Sequence, residues 1–368
     1  MPTKVALVFG GVSPEHAISC LTAASVLGAI DRSRYDVVGI GIAKSGRWTQ
    51  VPLEEIADYR IVDGVEPAVR EPDDDAVFMV TEQGAEVATR AGENLLDIRG
   101  VDVAFALLHG PFGEDGTLQG MFEMMGIRYV GCGVTSSAVG MDKQYMRIAF
   151  EAAGLPVGPY VIASDHRWRH FPDAVLAEVG ALQFPVFVKP CRGGSSIGIS
   201  RVENAAGLAD AIEEARRFDP KVIIEEGIDG REIECAVLGN PDTPDGCEAS
   251  PLGEVRVLTE DKFYDYRTKY FDEDGAALDI PAVLDVDVAA RIQAFAKRAF
   301  HALDCEGLAR ADFFVTDDGE IYINEVNTMP GFTEISMFPL LWQSTGMTYA
   351  ELVGRLIDLA VGRNAGLR

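Results

Sequence analysis

Four residues in, the chain runs into VALVFGG, an unbroken apolar stretch closed by Gly10 and Gly11. A strand that is apolar at every position must be covered on both faces, which places it inside a parallel sheet. Parallel neighbours need a long crossover, usually a helix. SPEHAISCLTAASVLGAI supplies one, with Ser13 placed as N-cap and Pro14 as the first helical residue. YDVVGIGIA and VDVAFALLHG read as further buried strands. The N-terminal region is therefore expected to be a doubly wound α/β unit, with ligand-facing loops at the C-terminal ends of its strands. Between the second and third of these strands, residues 51–100 are acidic and weakly periodic, and read as a peripheral insertion.

Further on, a single helix is expected from about Val134 to Ala153, followed by alternating strands and helices. His166 and His170 fall in a polar connection and read as surface residues. From Arg231 the pattern changes to short strands of antiparallel type. An amphipathic helix is then expected from about Val286 to Leu303, with Ala290, Ile292, Phe295, Ala299 and Leu303 near helical spacing. A hairpin and a closing helix, YAELVGRLIDLAVG, complete the chain.

At 368 residues, two or three domains are expected. The net charge of −26 argues against a nucleic-acid backbone or an anionic membrane as partner. It also requires that any anionic substrate be met by a local cluster of cations or by a metal ion. No signal-peptide pattern and no membrane-length apolar run is visible. Six cysteines without CxxC pairing fit reduced thiols in a cytoplasmic protein.

Two stretches carry candidate chemistry. In VFVKPCRGGSSIGISRV a glycine- and serine-rich turn lies between two strand-like runs, with Lys189 ahead of the glycines. A phosphate loop that opens a helix has its lysine after them. The order here suggests a hairpin whose tip, Gly193 to Ser196, can close over phosphates with its backbone N–H groups, or else a plain surface hairpin. In GLARADFFVTDDGEIYINEVNTMPGFT, Asp318-Gly319 is a two-residue turn signal. With those two residues as the loop, Asp312 lies opposite Glu325 and Arg310 opposite Asn327, all on one face. Two carboxylates and an amide carbonyl are hard ligands suited to Mg²⁺; the plainer alternative is a solvent-facing ribbon with ordinary charges.

FGGVSPEHAIS, LLHGPFGEDGT, GCGVTSSAVGMDK, FVKPCRGGSSIGIS, GREIECAVLGN, FYDYRTKY, GLARADFF and NEVNTMPGFTEIS occur in that order. In these segments the chain resembles, over essentially its whole length, the D-alanine–D-alanine ligases of the ATP-grasp superfamily. The resemblance implies a three-domain ATP-grasp fold, α/β and in part α+β: an N-terminal unit (1–131), a central unit with the glycine-rich lid (132–228) and a C-terminal unit (229–368), with ATP between the last two. It implies ATP-dependent joining of two D-alanines through a D-alanyl phosphate, for peptidoglycan precursors, by a cytoplasmic homodimer. Two Mg²⁺ ions are implied, replaceable by Mn²⁺.

Carried onto this chain, the pattern gives Asp312, Glu325 and Asn327 to the metal. Lys143, Lys189, Ser196, Glu225, Glu226, Ile228, Glu232, Lys269 and Phe314 fall to ATP. Glu15 and His109 receive the first amino acid, and Ser336 with the backbone of Met337 holds the carboxylate of the second. Ser195 and Tyr270 link to Glu15, and Arg310 with the N–H of Gly331 forms an oxyanion hole. Without that context Glu15 could merely complement a helix dipole, His109 could be structural, and Phe314 could be core. The chain departs from the pattern with Val12 where arginine is frequent, Ala106 where proline is frequent, and Glu226 where some members have lysine. The alternatives are a ligase with another acceptor, such as D-lactate or another D-amino acid, and a non-catalytic binding homologue. A carboxylase or another ligase of the superfamily would share the hairpin but not EHAIS or NTMPGFTEIS.

Overall fold

The computed structural model describes residues 2–258 and 276–363. Lys269 and Tyr270 lie outside the described residues. The apolar opening run, Thr3–Gly10, is the middle strand of a five-stranded sheet. It pairs in parallel with Tyr35–Ile42 and Val103–Ala106; Arg128–Tyr129 extends the parallel part, and Trp48–Val51 adds an antiparallel edge. The crossover helix is His16–Ala29, so it starts two residues later than Ser13 and Pro14 suggested. The Ser13 hydroxyl instead accepts from the Glu15 N–H at 3.2 Å and donates to the His109 carbonyl at 2.9 Å. A residue chosen by capping statistics thus joins two strand-end loops.

Residues 51–100 are more ordered than a loose insertion. Strands Asp75–Thr81, Gly84–Ala91 and Asn94–Gly100 form an antiparallel sheet of their own. Phe78 stacks edge-on between Trp48 and Phe122, at 5.8 and 6.5 Å between ring centres. A register shift between Val87 and Thr89 disturbs the alternation that would have marked these strands.

The second sheet is antiparallel in the order Ser200–Val202, Val186–Pro190, Val222–Glu226, Tyr160–Ala163. The helix expected from Val134 to Ala153 is two helices, Val134–Met141 and Lys143–Ala152. Asp142 between them is extended, and its carboxylate caps the second helix through Gln144 and Tyr145 and receives Lys221. That break re-aims the second helix. His166 and His170 are exposed as anticipated, but on a short helix, Asp165–His170.

The third sheet is antiparallel in the order Ala276–Asp279, Cys247–Val257, Arg231–Gly239, Leu308–Val315, Ile321–Asn327. Helix Val286–Ala302 covers it with Ile292, Ala296, Ala299 and Phe300; Leu303 and Phe295 join this core as expected, and of the expected residues Ala290 alone faces solvent. The closing helix, Tyr349–Gly362, does not stay with this sheet. Leu352, Leu356 and Ile357 share one core with Val5, Leu7, Phe9 and Phe105 of the first sheet. Phe332 anchors the junction, with ring centres 5.8 Å from Phe105, 5.8 Å from Phe338 and 5.7 Å from Tyr349. The loop that begins after Asn327 is thereby fixed against the first sheet.

Candidate active site

Strands Leu308–Val315 and Ile321–Asn327 place Arg310 opposite Asn327 and Asp312 opposite Glu325, as the sequence suggested. The route differs. The turn spans Asp317, Asp318 and Gly319, closed by the Thr316 N–H to the Glu320 carbonyl at 3.0 Å, with Gly319 at φ +83°. That is a three-residue loop with its glycine in the left-handed region. It alone would shift the pairing by one residue and turn Glu325 to the wrong face. A bulge between Asp312 and Phe313 on one strand and around Asn324 on the other restores the register.

Arg310 is 15% exposed and lies between two carboxylates. Its Nε and Nη2 donate to the two Asp312 oxygens, both at 2.8 Å, and Nε is 3.0 Å from Glu234 Oε2. Burial opposes its charge, but Asp312 and Glu234 hold the guanidinium protonated more firmly than usual. Asn327 Nδ2 donates to Asp312 Oδ2 at 2.9 Å, which turns its carbonyl oxygen away from Asp312. Asp312, 2% exposed, does not line the cleft directly but sits beneath Arg310. Two carboxylates and an amide oxygen are the donor types Mg²⁺ takes, in a mode that keeps waters and shares phosphate oxygens; here Glu325 and Asn327 reach the cleft, while Asp312 is occupied by Arg310 and Asn327 and would have to exchange those partners for a metal. Among the described residues, no group of three or more His, Cys, Asp or Glu converges as a metal cage.

The cleft above this hairpin has a volume of about 1790 Å³, well beyond the roughly 300–1,000 Å³ of an ordinary ligand pocket. It is lined by the second and third sheets, and on the remaining side by the first helix and the loops that follow strands of the first sheet. Strands Val186–Pro190 and Ser200–Val202 pair antiparallel, so the glycine-rich stretch is a hairpin with its tip over the cleft. Ser195 and Ser196 adopt φ +50° and +57°, which costs side-chain-bearing residues energy and marks a constrained tip. The Ser195 hydroxyl donates to Glu15 Oε1 at 2.5 Å, and Lys143 Nζ donates to the Gly193 carbonyl at 3.1 Å. Glu15, 6% exposed, does not merely face a helix dipole. Its carboxylate lies where a Cβ on Gly110 would come within 2.6 Å, and one on Gly194 within 3.1 Å. Those two glycines let a strand end and the hairpin tip meet around one carboxylate.

On the opposite side, Lys189 Nζ lies 2.7 Å from Glu225 Oε2, and Arg147 Nε donates to Glu225 Oε1 at 2.9 Å. Burial would raise the Glu225 pKa, but the two cations outweigh it and hold the carboxyl at about 2. Glu226 accepts from the Gln183 N–H at 3.0 Å, and Lys143 is 4.0 Å from Glu325. Phe314 is half-buried in the cleft wall across from Glu232, whereas its neighbour Phe313 is the core residue. Ile228 packs against Gly158 nearby.

His109, 3% exposed, has Nδ1 3.2 Å from the Met329 carbonyl and 3.5 Å from Glu114, and Nε2 3.4 Å from Thr22 Oγ1. Burial lowers the His109 pKa, yet Glu114 more than reverses it, while burial pushes the Glu114 carboxyl up to about 7. The Ser336 hydroxyl bonds Thr333 through its N–H at 3.1 Å and its Oγ1 at 2.7 Å; Gly331 and Met337 flank it. Sequence reasoning missed Glu234, Glu114 and Arg147. Alternation from Glu232 gives Glu234 the same face, and Arg147 is one helical turn beyond Lys143. Glu114 carried no signal beyond its place in HGPFGEDG.

An antiparallel lid sheet and an antiparallel carboxylate-bearing sheet facing each other across a cleft define an ATP-grasp protein. The family model for the D-ala D-ala ligase N-terminus matches residues 4–132, and that for the C-terminus residues 149–358. A D-alanine–D-alanine ligase of Pseudarthrobacter chlorophenolicus is 50% identical over 99% of this chain and 96% of its own length. One of Mycobacterium sp. strain KMS is 50% identical over 100% and 98%. Among solved structures, the VanG D-Ala:D-Ser ligase of Enterococcus faecalis superposes with a TM-score of 0.82 at 34% identity, covering 98% of this chain and 100% of that one. The D-alanine–D-alanine ligase of Coxiella burnetii gives 0.80 at 30% identity, covering 99% and 95%. The chain belongs to the D-alanine–D-alanine ligase family.

The Glu225 carboxylate, held ionised by two buried cations, contributes stability that is present above the ordinary glutamate range and lost as pH falls toward about 2. Glu225→Gln is expected to cost about 3–5 kcal/mol near neutrality by leaving Arg147 uncompensated. Denaturant unfolding should show that gap narrowing as the pH is lowered from about 5. A gap independent of pH would contradict the pairing.

Proposed function

We propose that this chain joins two D-alanine molecules at the expense of ATP, releasing D-alanyl-D-alanine, ADP and phosphate for peptidoglycan precursors. The observation that carries this reading is the convergence of Glu15, the lid tip, Lys189 and the Arg310 hairpin on one cleft, in a chain about half identical to such ligases over its full length. The three units proposed, 1–131, 132–228 and 229–368, each contain one of the three large sheets. A cytoplasmic setting is supported by six free, buried cysteines, and the family resemblance supports a homodimer. The net charge of −26 disfavours nucleic acid as a partner.

In this reading Glu15 takes the ammonium of the first D-alanine, with His109 beside it. Lys143, Lys189 and the lid N–H groups, Ser196 included, hold the phosphates, and Glu225, Glu226, Ile228, Glu232 and Phe314 surround the base and ribose. The family pattern assigns Lys269 to the phosphates as well. Asp312, Glu325 and Asn327 would hold Mg²⁺, two ions on the family pattern, with Mn²⁺ as a substitute; bound there, the metal would neutralise charge on the phosphates. A carboxylate oxygen of the first D-alanine attacks the γ-phosphorus, the bond to ADP breaks, and an acyl phosphate forms. Such a transfer depends on positioning and charge neutralisation.

The second D-alanine has its carboxylate on Ser336 and the Met337 backbone. Its amine gives up a proton to the Glu15–Ser195 pair, to which the family pattern adds Tyr270, and attacks the acyl carbon. Arg310 and the Gly331 N–H stabilise the resulting oxyanion, and phosphate leaves with the original carboxylate oxygen.

The likeness to a D-Ala:D-Ser ligase favours testing the acceptor directly. With ATP, D-alanine and either D-serine or D-lactate present together at neutral pH, the expected main product is D-alanyl-D-alanine. Predominance of the mixed dipeptide or of the ester would overturn that choice. Arg310→Ala is expected to lower D-alanine-dependent ADP release by about 10²–10³-fold while ATP binding persists. Unchanged turnover would remove Arg310 from the chemistry and favour a binding homologue.

A further inference from the structure

The strand that carries Glu325 and Asn327 is the outer strand of its sheet, so half of its backbone groups have no strand partner. Helix Lys143–Ala152 and the segment after it supply the missing partners. The Ile323 N–H donates to the Pro156 carbonyl at 2.9 Å, and the Val326 N–H contacts Met146 Sδ at 3.3 Å. The Ile323 carbonyl accepts from Arg147 Nη1 at 2.5 Å, and Arg147 Nη2 reaches Asn324 Oδ1 at 3.5 Å. Asn324 is the bulged residue, on which the opposition of Asp312 to Glu325 depends. The same guanidinium, 5% exposed, bonds Glu225 through Nε and Nη2, and Glu225 in turn bonds Lys189.

We propose that Arg147 is a positioning residue that fixes, with one planar group, both the bulge that registers the metal-binding face and the Glu225–Lys189 arm across the cleft. Its three guanidinium nitrogens are all engaged, by Glu225, the Ile323 carbonyl and Asn324. It ties the second sheet to the edge of the third, so the two walls that would share a nucleotide keep one spacing. The fork geometry is needed: a guanidinium can serve the Ile323 carbonyl and the Glu225 carboxylate at once, while an ammonium on a flexible stem acts as a point charge. The proposal rests on the ligase reading in naming ATP and Mg²⁺, but the tie between the bulge and Glu225 does not.

The test uses the full chain with Arg147→Lys, which keeps the charge, and Arg147→Met, which removes it and leaves Glu225 paired with Lys189. The probe is Mg²⁺ with a non-hydrolysable ATP analogue and no amino acid, followed by calorimetry. Amide hydrogen exchange is followed across Ile321–Asn327. Both variants are expected to bind the Mg²⁺–nucleotide about 10- to 100-fold more weakly, as when a group supporting metal ligands is lost. Both should also exchange faster at Ile323 to Val326. In steady state Arg147→Lys should raise KM for ATP more than it lowers kcat. A merely structural arginine would lower the melting temperature and leave affinity and KM unchanged. Wild-type affinity together with wild-type exchange in Arg147→Lys overturns the proposal. If the native protein shows no D-alanine-dependent turnover while Arg147→Lys still weakens nucleotide binding and speeds exchange, the ligase reading falls and this one stands.

Discussion

The cations of this cleft are held against carboxylates: Lys189 on Glu225, Arg310 between Asp312 and Glu234, Lys143 near Glu325. A chain with net charge −26 could not otherwise keep positive groups concentrated and oriented at one place. Burial makes each pair rigid, because separating its members leaves an uncompensated charge in a poorly solvated site. The geometry follows from that constraint. The lid strand brings Lys189 to the second sheet's Glu225, and Arg310 is fixed by carboxylates of its own sheet.

Glu15 closes the arrangement from the first sheet. Its carboxylate lies between Gly110 and Gly194 and accepts the Ser195 hydroxyl, so the lid tip, the first helix and a strand-end loop meet at one group. The closing helix supports this indirectly: its docking on the first sheet, through Phe332, holds the loop of Gly331 and Ser336 near His109 and Glu15. Two sheets and the first sheet's helix and strand-end loops thus share one cleft without any of them carrying it alone.

Much of this was legible in residue order. Continuous apolar strands gave the parallel first sheet, and lysine ahead of glycines gave a hairpin instead of a helix-opening loop. The opposition of Asp312 and Glu325 was right through two offsetting departures, a turn one residue longer and a bulge at Asn324; local turn signals cannot report a bulge held from another element. Arg147 shares a helical face with Lys143, but its role was hidden for the same reason, since a mid-helix arginine looks like solvated charge until its partners in two sheets are known. The break at Asp142 was hidden because the flanking residues all favour helix, and Lys221, which stabilises it, is distant in sequence.

The chemistry can be tested on a single oxygen atom. With D-alanine labelled with ¹⁸O in its carboxylate and unlabelled ATP, attack on the γ-phosphorus transfers one labelled oxygen to the phosphate that leaves. Mass spectrometry of the inorganic phosphate after one turnover is expected to show one ¹⁸O per molecule of dipeptide formed. Unlabelled phosphate, or label found in AMP, would contradict a cleft built to activate a carboxylate by γ-phosphoryl transfer.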